Sequence, residues 1–329
     1  MLRVVQRKAA RVFKKVCVFA GNAHPKLAAS IAGYLETPLG KAKITRFSDG
    51  ETFCEIGENV RGVDAFVIQP TCSPVNDNLM ELLIMADTLR RASAGSITAV
   101  VPYYGYARQD RKIAARTPIT SKLVADLIQA AGITRVVSID LHAGQIQGFF
   151  NMPFDHLYAM PVMLDDYLKK NFDSNVVCVS PDAGGVERVR AYAKRLGATI
   201  AIIDKRRERA NVSEVMNLIG EVKGRECIII DDMIDTAGTI VAAAEQLTER
   251  GASAVYCAAT HGVFSGPAID RLKNSTLEKV VITNTLPLPP EKRIDKIEVL
   301  SAARIIADAI DAVFEDTSVS EIFDGQNQS

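Results

Sequence analysis

The chain has 329 residues, enough for about two domains at roughly 150 residues each. Apolar residues make up 48% and charged residues 24%, and 39 Lys plus Arg balance 39 Asp plus Glu. That profile excludes a mainly disordered, collagen-like or coiled-coil chain, and no run approaches the ~18 apolar residues of a membrane span. Zero net charge also leaves no basic excess for a nucleic-acid binder.

In chain order, residues 1–15 hold six basic residues and no acid, and lack the apolar core of a secretory signal. They read as a basic extension ahead of the first strand, with an Arg-rich amphipathic transit peptide as the alternative. Strands are predicted at 16–21, 65–71, 97–104 and 135–142, with helices at 24–35, 76–92 and 119–131 between them. The second half repeats the alternation, with strands at 176–181, 199–205, 226–232, 254–260 and 279–285. Helices at 186–197 and 239–251 end at Gly197 and Gly251, a common stop signal. Short Val- and Ile-rich runs alternating with helices predict an α/β fold with parallel sheets covered on both faces. The halves run in the same order, so the chain divides into two similar units, 16–157 and 158–314, with a tail at 315–329. The six cysteines, Cys17, Cys54, Cys72, Cys178, Cys227 and Cys257, have no metal-binding spacing and read as thiols of a cytoplasmic protein.

In open parallel sheets, ligands bind beyond the carboxyl ends of the strands. The strongest signal there is IIIDDMIDTAGTIVAAAE at 228–245. An apolar strand runs into Asp231 and Asp232, and Asp235, Thr236, Ala237, Gly238 and Thr239 open a helix. Unpaired N–H groups and the positive end of the dipole suit a phosphate at such a helix start. Gly238 is expected to let the backbone approach closely, and the acid pair to accept hydrogen bonds from sugar hydroxyls. Read blandly, the same segment is a capped helix with solvated acids. Elsewhere, FSDGE at 47–51 reads as a hairpin turn, and DKRRER at 204–209 places four cations on one loop. No GxSxG, paired Cys and His, or GxxxxGK[ST] appears, which fits a reaction whose nucleophile is a substrate hydroxyl.

Segment 228–245 resembles the ribose-phosphate loop of type I phosphoribosyltransferases. DLHAGQIQGFFNMPFD (140–155), RFSDGE (46–51), NDNLMELL (76–83), YARQDR (106–111), SPDAGG (180–185), DKRR (204–207) and THGVFSG (260–266) narrow the likeness to the ribose-phosphate diphosphokinases, the phosphoribosyl pyrophosphate synthetases, over about 16–323. The resemblance implies two tandem phosphoribosyltransferase-like domains, each with a mostly parallel sheet flanked by helices. It implies transfer of the diphosphoryl group of ATP to the 1-hydroxyl of ribose 5-phosphate, giving 5-phosphoribosyl 1-diphosphate and AMP for nucleotide, histidine and tryptophan synthesis. Residues 235–239 would hold the 5-phosphate, and Asp231 with Asp232 the ribose hydroxyls.

The same likeness makes His142 and Asp182 the Mg²⁺ ligands, acting through the metal of a bound nucleotide rather than a closed protein cage. Lys205 and Arg207 become the catalytic cations of a flap in which Glu208 stands where the family often has Pro. Phe47, Asp49, Gly50 and Glu51 of one subunit would meet Arg108 and Gln109 of a neighbour around ATP. Arg61, Ser318, Ser320 and Phe323 would line an allosteric anion site between subunits of a hexamer, with inorganic phosphate as activator and ADP as inhibitor. Neither nucleic acid nor membrane is implied as a partner. A phosphoribosyltransferase that joins a base would share the ribose-phosphate loop without using FSDGE and YARQDR. A non-catalytic regulatory paralogue would tend to carry enlarged loops, whereas this flap is short.

Overall fold

The computed structural model of the chain describes residues 15–206 and 215–323, without the side chains of 205, 206, 215 and 216. The chain opens with strand β1 (Val16–Ala20) and helix α1 (Pro25–Tyr34), followed by a separate antiparallel hairpin of β2 (Ala42–Arg46) and β3 (Thr52–Ile56). Then come β4 (Asp64–Ile68), α2 (Val75–Arg91), β5 (Ser96–Val101), α3 (Thr120–Ala130), β6 (Arg135–Ile139) and β7 (Phe154–Leu157). Strands β1-β4-β5-β6-β7 form the first sheet in that order, every pair parallel. Helix α2 suits its dipole, with Asp77 in the first turn and Arg90 and Arg91 in the last.

A helical stretch links the halves, with α4 (Met160–Met163) and α5 (Lys169–Asn171) flanking a π turn at Leu164–Leu168. The second half holds β8 (Val177–Ser180), α6 (Val186–Leu196), β9 (Thr199–Arg206) and β10 (Val215–Ile219). It continues through β11 (Glu226–Ile234), α7 (Gly238–Glu249), β12 (Ala254–Gly262), α8 (Ala268–Asn274), β13 (Leu277–Thr283), β14 (Ile297–Leu300) and α9 (Ala303–Phe314). The second sheet runs β10-β9-β8-β11-β12-β13-β14 and is parallel except for β10 against β9. Its order reverses between β8 and β11, which leaves a crevice at their carboxyl ends.

Each sheet is buried on both faces, as its continuous Val and Ile runs require. Phe19, Val67, Ala99 and Val136 face α2 and α3, while Val18, Phe66, Val100 and Val137 face α1. In the second sheet, Ile229 and Cys257 face α7, and Ile228, Ile230 and Ala258 face α6. Cys72, Cys178, Cys227 and Cys257 are buried, Cys17 and Cys54 are half-buried, and all six are free thiols. No helix among the described residues is long and apolar enough to cross a membrane.

Two features depart from the sequence reading. Helix α9, placed by chain position in the 158–314 unit, covers the first sheet instead, with Ile305, Ile306 and Ile310 packed on Leu27, Ile31 and Phe66. Its apolar stripe meets a face left open by α1, so the two units are not separate in space at the far end of the chain. Phe323 in the tail joins the same core and lies edge-on to Tyr158, ring centroids 5.7 Å apart.

Candidate active site

Strands β11 and β12 each run two residues beyond their predicted ends at 232 and 260, pairing Met233 with His261 and Ile234 with Gly262. Asp231 and Asp232 therefore lie within the strand, with Asp232 almost wholly buried. Beyond them, residues 235–239 turn into α7. The left-handed residue of that turn is Ala237, φ 61°, and not Gly238. A Cβ on Gly238 would sit 3.2 Å from the Arg271 guanidinium, so its small size serves this contact. Arg271 on α8 braces the turn by donating to the Thr236 carbonyl at 2.9 Å.

The turn forms one wall of a cavity of about 610 Å³ at the reversal point of the second sheet. Asp182, Gly184 and Gly185, from the loop after β8, line another wall; Asp182 Oδ1 accepts from the Gly185 N–H at 3.0 Å and shapes that loop. The first sheet supplies the rest through Arg108, Asp110 and Arg111 after β5 and His142, Ala143 and Gln145 after β6. Arg108 forms an ion pair with Asp235, and His142 Nδ1 lies 2.8 Å from Asp232 Oδ2. Both contacts cross between the sheets, so the cavity exists only where the halves meet.

The electrostatics separate the two acids. Burial beside the neighbouring charge pushes the Asp231 carboxyl up to about 8. Burial opposes the charge of Asp232 too, but the hydrogen bond from His142 and the Arg188 guanidinium outweigh it and hold that carboxyl well below the usual range. The Asp232 hydrogen bond in turn raises His142 against its own burial. Burial also works against Asp235, and the Ser265 hydroxyl and Arg108 overcome it, so that its carboxyl stays low. Arg188 reaches within 3.7 Å of Asp231 Oδ1 and 3.6 Å of Asp232 Oδ1, and its buried Nε finds no hydrogen-bond partner among the described residues. The sequence reading missed Arg188, because VERVRAYAKRLG looks like a helix with a solvated basic face.

The cavity thus gathers Asp231, Asp232, residues 235–239, His142, Asp182 and Arg108. The other expected site residues lie elsewhere. Phe47, Asp49, Gly50 and Glu51 form an exposed turn at the tip of the β2–β3 hairpin, with Gly50 at φ 97° and Phe47 edge-on to Phe53. They do not line this cavity. Gln109 accepts from the Thr120 hydroxyl at 2.5 Å, which ties the Arg108 loop to the start of α3. Lys205 is in β9, opposite Met216 on β10, but its side chain and all of Arg207 and Glu208 lie outside the described residues. Arg61 is exposed before β4, and no hydrogen bond joins it to Ser318 or Ser320, whose hydroxyls are 2.7 Å apart. Phe323 packs into the α1–α9 core and also lines a separate cavity of about 210 Å³ with Met160, Lys169 and Arg195.

Residues 16–132 match the family model described as the N-terminal domain of ribose phosphate pyrophosphokinase, and residues 208–324 match the phosphoribosyl synthetase-associated domain. A ribose-phosphate pyrophosphokinase of Caldanaerobacter subterraneus is 58% identical over 314 residues, covering 95% of this chain and 99% of that one. Its counterpart in Clostridium perfringens is 56% identical over 312 residues, covering 94% and 98%. The crystal structure of a phosphoribosylpyrophosphate synthetase from Mycobacterium smegmatis superimposes with a TM-score of 0.88 at 46% identity, covering 92% of this chain and all of that one.

Proposed function

The chain belongs to the ribose-phosphate pyrophosphokinase family, and we propose that it performs direct diphosphoryl transfer in the cavity between its two sheets. The 1-hydroxyl oxygen of ribose 5-phosphate attacks the β-phosphorus of ATP. The bond from that phosphorus to the α,β-bridging oxygen breaks, AMP leaves with the oxygen, and the hydroxyl's proton passes to solvent. The carrying observation is the acid pair lying directly before a helix start in one cavity: sugar-hydroxyl acceptors and a phosphate cradle side by side. The free N–H groups at the start of α7 and the hydroxyls of Thr236 and Thr239 take the 5-phosphate. Asp231 and Asp232 accept from the ribose hydroxyls, with Arg188 beside both and offsetting the charge of Asp232.

Among the described residues no three His, Cys, Asp or Glu side chains converge as a metal cage. His142 and Asp182 nevertheless line the cavity, each with one polar atom already engaged and one left over. One carboxylate oxygen and one imidazole nitrogen, an unusual ligand for this ion, would not cage Mg²⁺. They suit an ion that keeps several waters and is held mainly by phosphate oxygens. When bound there, the ion supplies neutralisation of charge on the polyphosphate. His142 and Asp182 would hold it, and Arg108 would take part in holding ATP.

Lys205 and Arg207 are proposed to stabilise the charge developing in transfer, on the strength of the matching DKRR segment. Phe47, Asp49, Gly50 and Glu51 are proposed to meet ATP at the cavity of a neighbouring copy. Their absence from the lining of this chain's own cavity supports that reading, as does the exposed Phe47 ring. By the same likeness the enzyme is a cytoplasmic hexamer activated by inorganic phosphate, with Arg61, Ser318, Ser320 and Phe323 at the regulatory contact. The test is to incubate the protein with Mg-ATP and ribose 5-phosphate, without any base, and separate the nucleotides. AMP is expected in equal amount to 5-phosphoribosyl diphosphate, and Lys205→Ala should lower turnover by roughly 10³-fold. Formation of ADP, or no product until a base is added, contradicts the reading.

A further inference from the structure

The cavity is assembled from two sheets, so its geometry depends on whatever fixes one sheet against the other. His261 on β12 is buried at that junction. Its Nε2 lies 3.1 Å from the Ile139 carbonyl and 3.2 Å from the Asp140 carbonyl, at the end of β6 in the first sheet. Carbonyls only accept, so Nε2 carries the proton. Nδ1 then accepts from the Thr285 hydroxyl at 2.8 Å, on the second-sheet side. One neutral tautomer is specified, and burial keeps the ring uncharged.

The segment it holds is strained. Asp140 has φ 40°, a left-handed conformation that non-glycine residues adopt only when their surroundings impose it. Its Oδ2 accepts from the Thr260 hydroxyl at 2.6 Å, a second link to β12, and from the Ala159 N–H at 2.9 Å. Two residues on stands His142, against Asp232. The edge of the His261 ring also meets Tyr103, centroids 5.1 Å apart, in the loop that carries Arg108 to Asp235. His261 therefore touches both first-sheet loops that reach into the second-sheet cavity, yet it does not itself line that cavity.

We infer that His261 is a positioning residue: its Nε2–H, donated to the Ile139 and Asp140 carbonyls, registers the His142 and Arg108 loops against the phosphate turn. Residues 235–239 are carried by the sheet that carries His261, so they keep their place without this contact. The first-sheet groups do not. A misplacement of about 1 Å in such groups costs ~10²-fold in rate while leaving the other substrate's binding intact.

The inference rests on the proposed reaction, and AMP formation by the wild-type protein in the same assay tests that premise separately. The experiment compares His261→Gln with His261→Asn. Glutamine places an amide N–H where Nε2–H stood, whereas asparagine stops short of it. His261→Asn is expected to lower kcat ~10²-fold with KM for ribose 5-phosphate within about 2-fold of wild type, and His261→Gln to recover most of the loss. Equal activity in both variants, or a rise in KM parallel to the fall in kcat, overturns the inference. Should His261→Asn fail to fold, Thr285→Val, close to isosteric, leaves the imidazole and its Nε2–H in place but removes the hydroxyl that anchors Nδ1 and aims the ring at the two carbonyls. That variant is expected to lose several-fold in kcat at unchanged KM, and unchanged kcat overturns the inference.

Discussion

The two sheets are built from the same kind of strand and helix, yet their carboxyl ends differ. In the first sheet the strands follow one another in a single direction, and the ends of β1 and β4 are filled by the protein's own side chains. Buried Glu81 on α2 accepts from the Asn22 N–H at 2.6 Å, the Asn22 amide at 3.0 Å and the Gln69 amide at 2.9 Å. Gln69 in turn accepts from the Ala23 N–H, and Asn78 donates to the Cys72 carbonyl. The closure is tight: a Cβ on Gly21 would stand 2.2 Å from Gln69 Oε1. In the second sheet the order reverses between β8 and β11, the flanking loops diverge, and acids and N–H groups are left facing an open cavity. Strand order, not composition, makes one set of polar groups structural and the other available to a ligand.

Paired substitutions test that contrast. Asp232→Asn removes the acceptor of His142 and the counter-charge of Arg188, and kcat/KM for ribose 5-phosphate is expected to fall by ~10²–10³-fold in steady-state AMP release. Glu81→Gln turns an acceptor of three N–H groups into a group that is itself half donor. It is expected to lower the urea midpoint by an amount equivalent to about 1–3 kcal/mol, with kcat of the folded protein within roughly 2-fold of wild type. If Glu81→Gln abolished turnover while the protein stayed as stable as before, the first sheet's polar cluster would be functional and the contrast would fail.

A smaller effect concerns pH. The folded protein holds a proton on Asp231 up to about 8, far above the unfolded value, so it binds more protons than the unfolded chain across that interval. The stability that Asp231 contributes should therefore fall as pH rises from about 4 to 8. His142, also raised, adds stability that is full below the ordinary histidine range and is lost as pH climbs through its folded value. The two trends agree in sign. His24, His156 and His261, all lowered by burial, act the opposite way below the ordinary histidine range, so the net fall is expected above it. Calorimetry of the ligand-free protein should show a melting temperature lower by a few degrees at pH 8.5 than at pH 6.5, and Asp231→Asn should flatten the slope. A melting temperature that rose over this range would mean that Arg188 keeps both acids ionised.

Much of the fold was legible along the chain. Val- and Ile-rich runs located β1, β4, β5, β6, β8, β9, β11, β12 and β13, and helical periodicity located α1, α2, α3, α6 and α7. The elements not read were of a different kind. Strands β7 and β14 have only four residues each, too few for a pattern to rise above its neighbours, and β10 is an antiparallel edge. ARIIADAIDAVF is a helix by its own pattern, but nothing local says that it packs on the other unit. Ala237, rather than the adjacent glycine, takes the left-handed turn residue because the path from β11 into α7 sets the dihedral there.

Composition and spacing were enough to read the α/β alternation, the helix start at 235–239 that is proposed to hold a phosphate, the acid pair and the placing of His142 and Asp182 just beyond strands. These are local properties, written in composition and spacing within a dozen residues. Folding was needed to make β8 and β11 neighbours, to turn Arg188 toward the acids, to bring His142 to Asp232 ninety residues away, and to join the two sheets through His261. Those contacts arise from the order in which strands pair and from which helix covers which face. Packing settles both over distances that no local pattern spans.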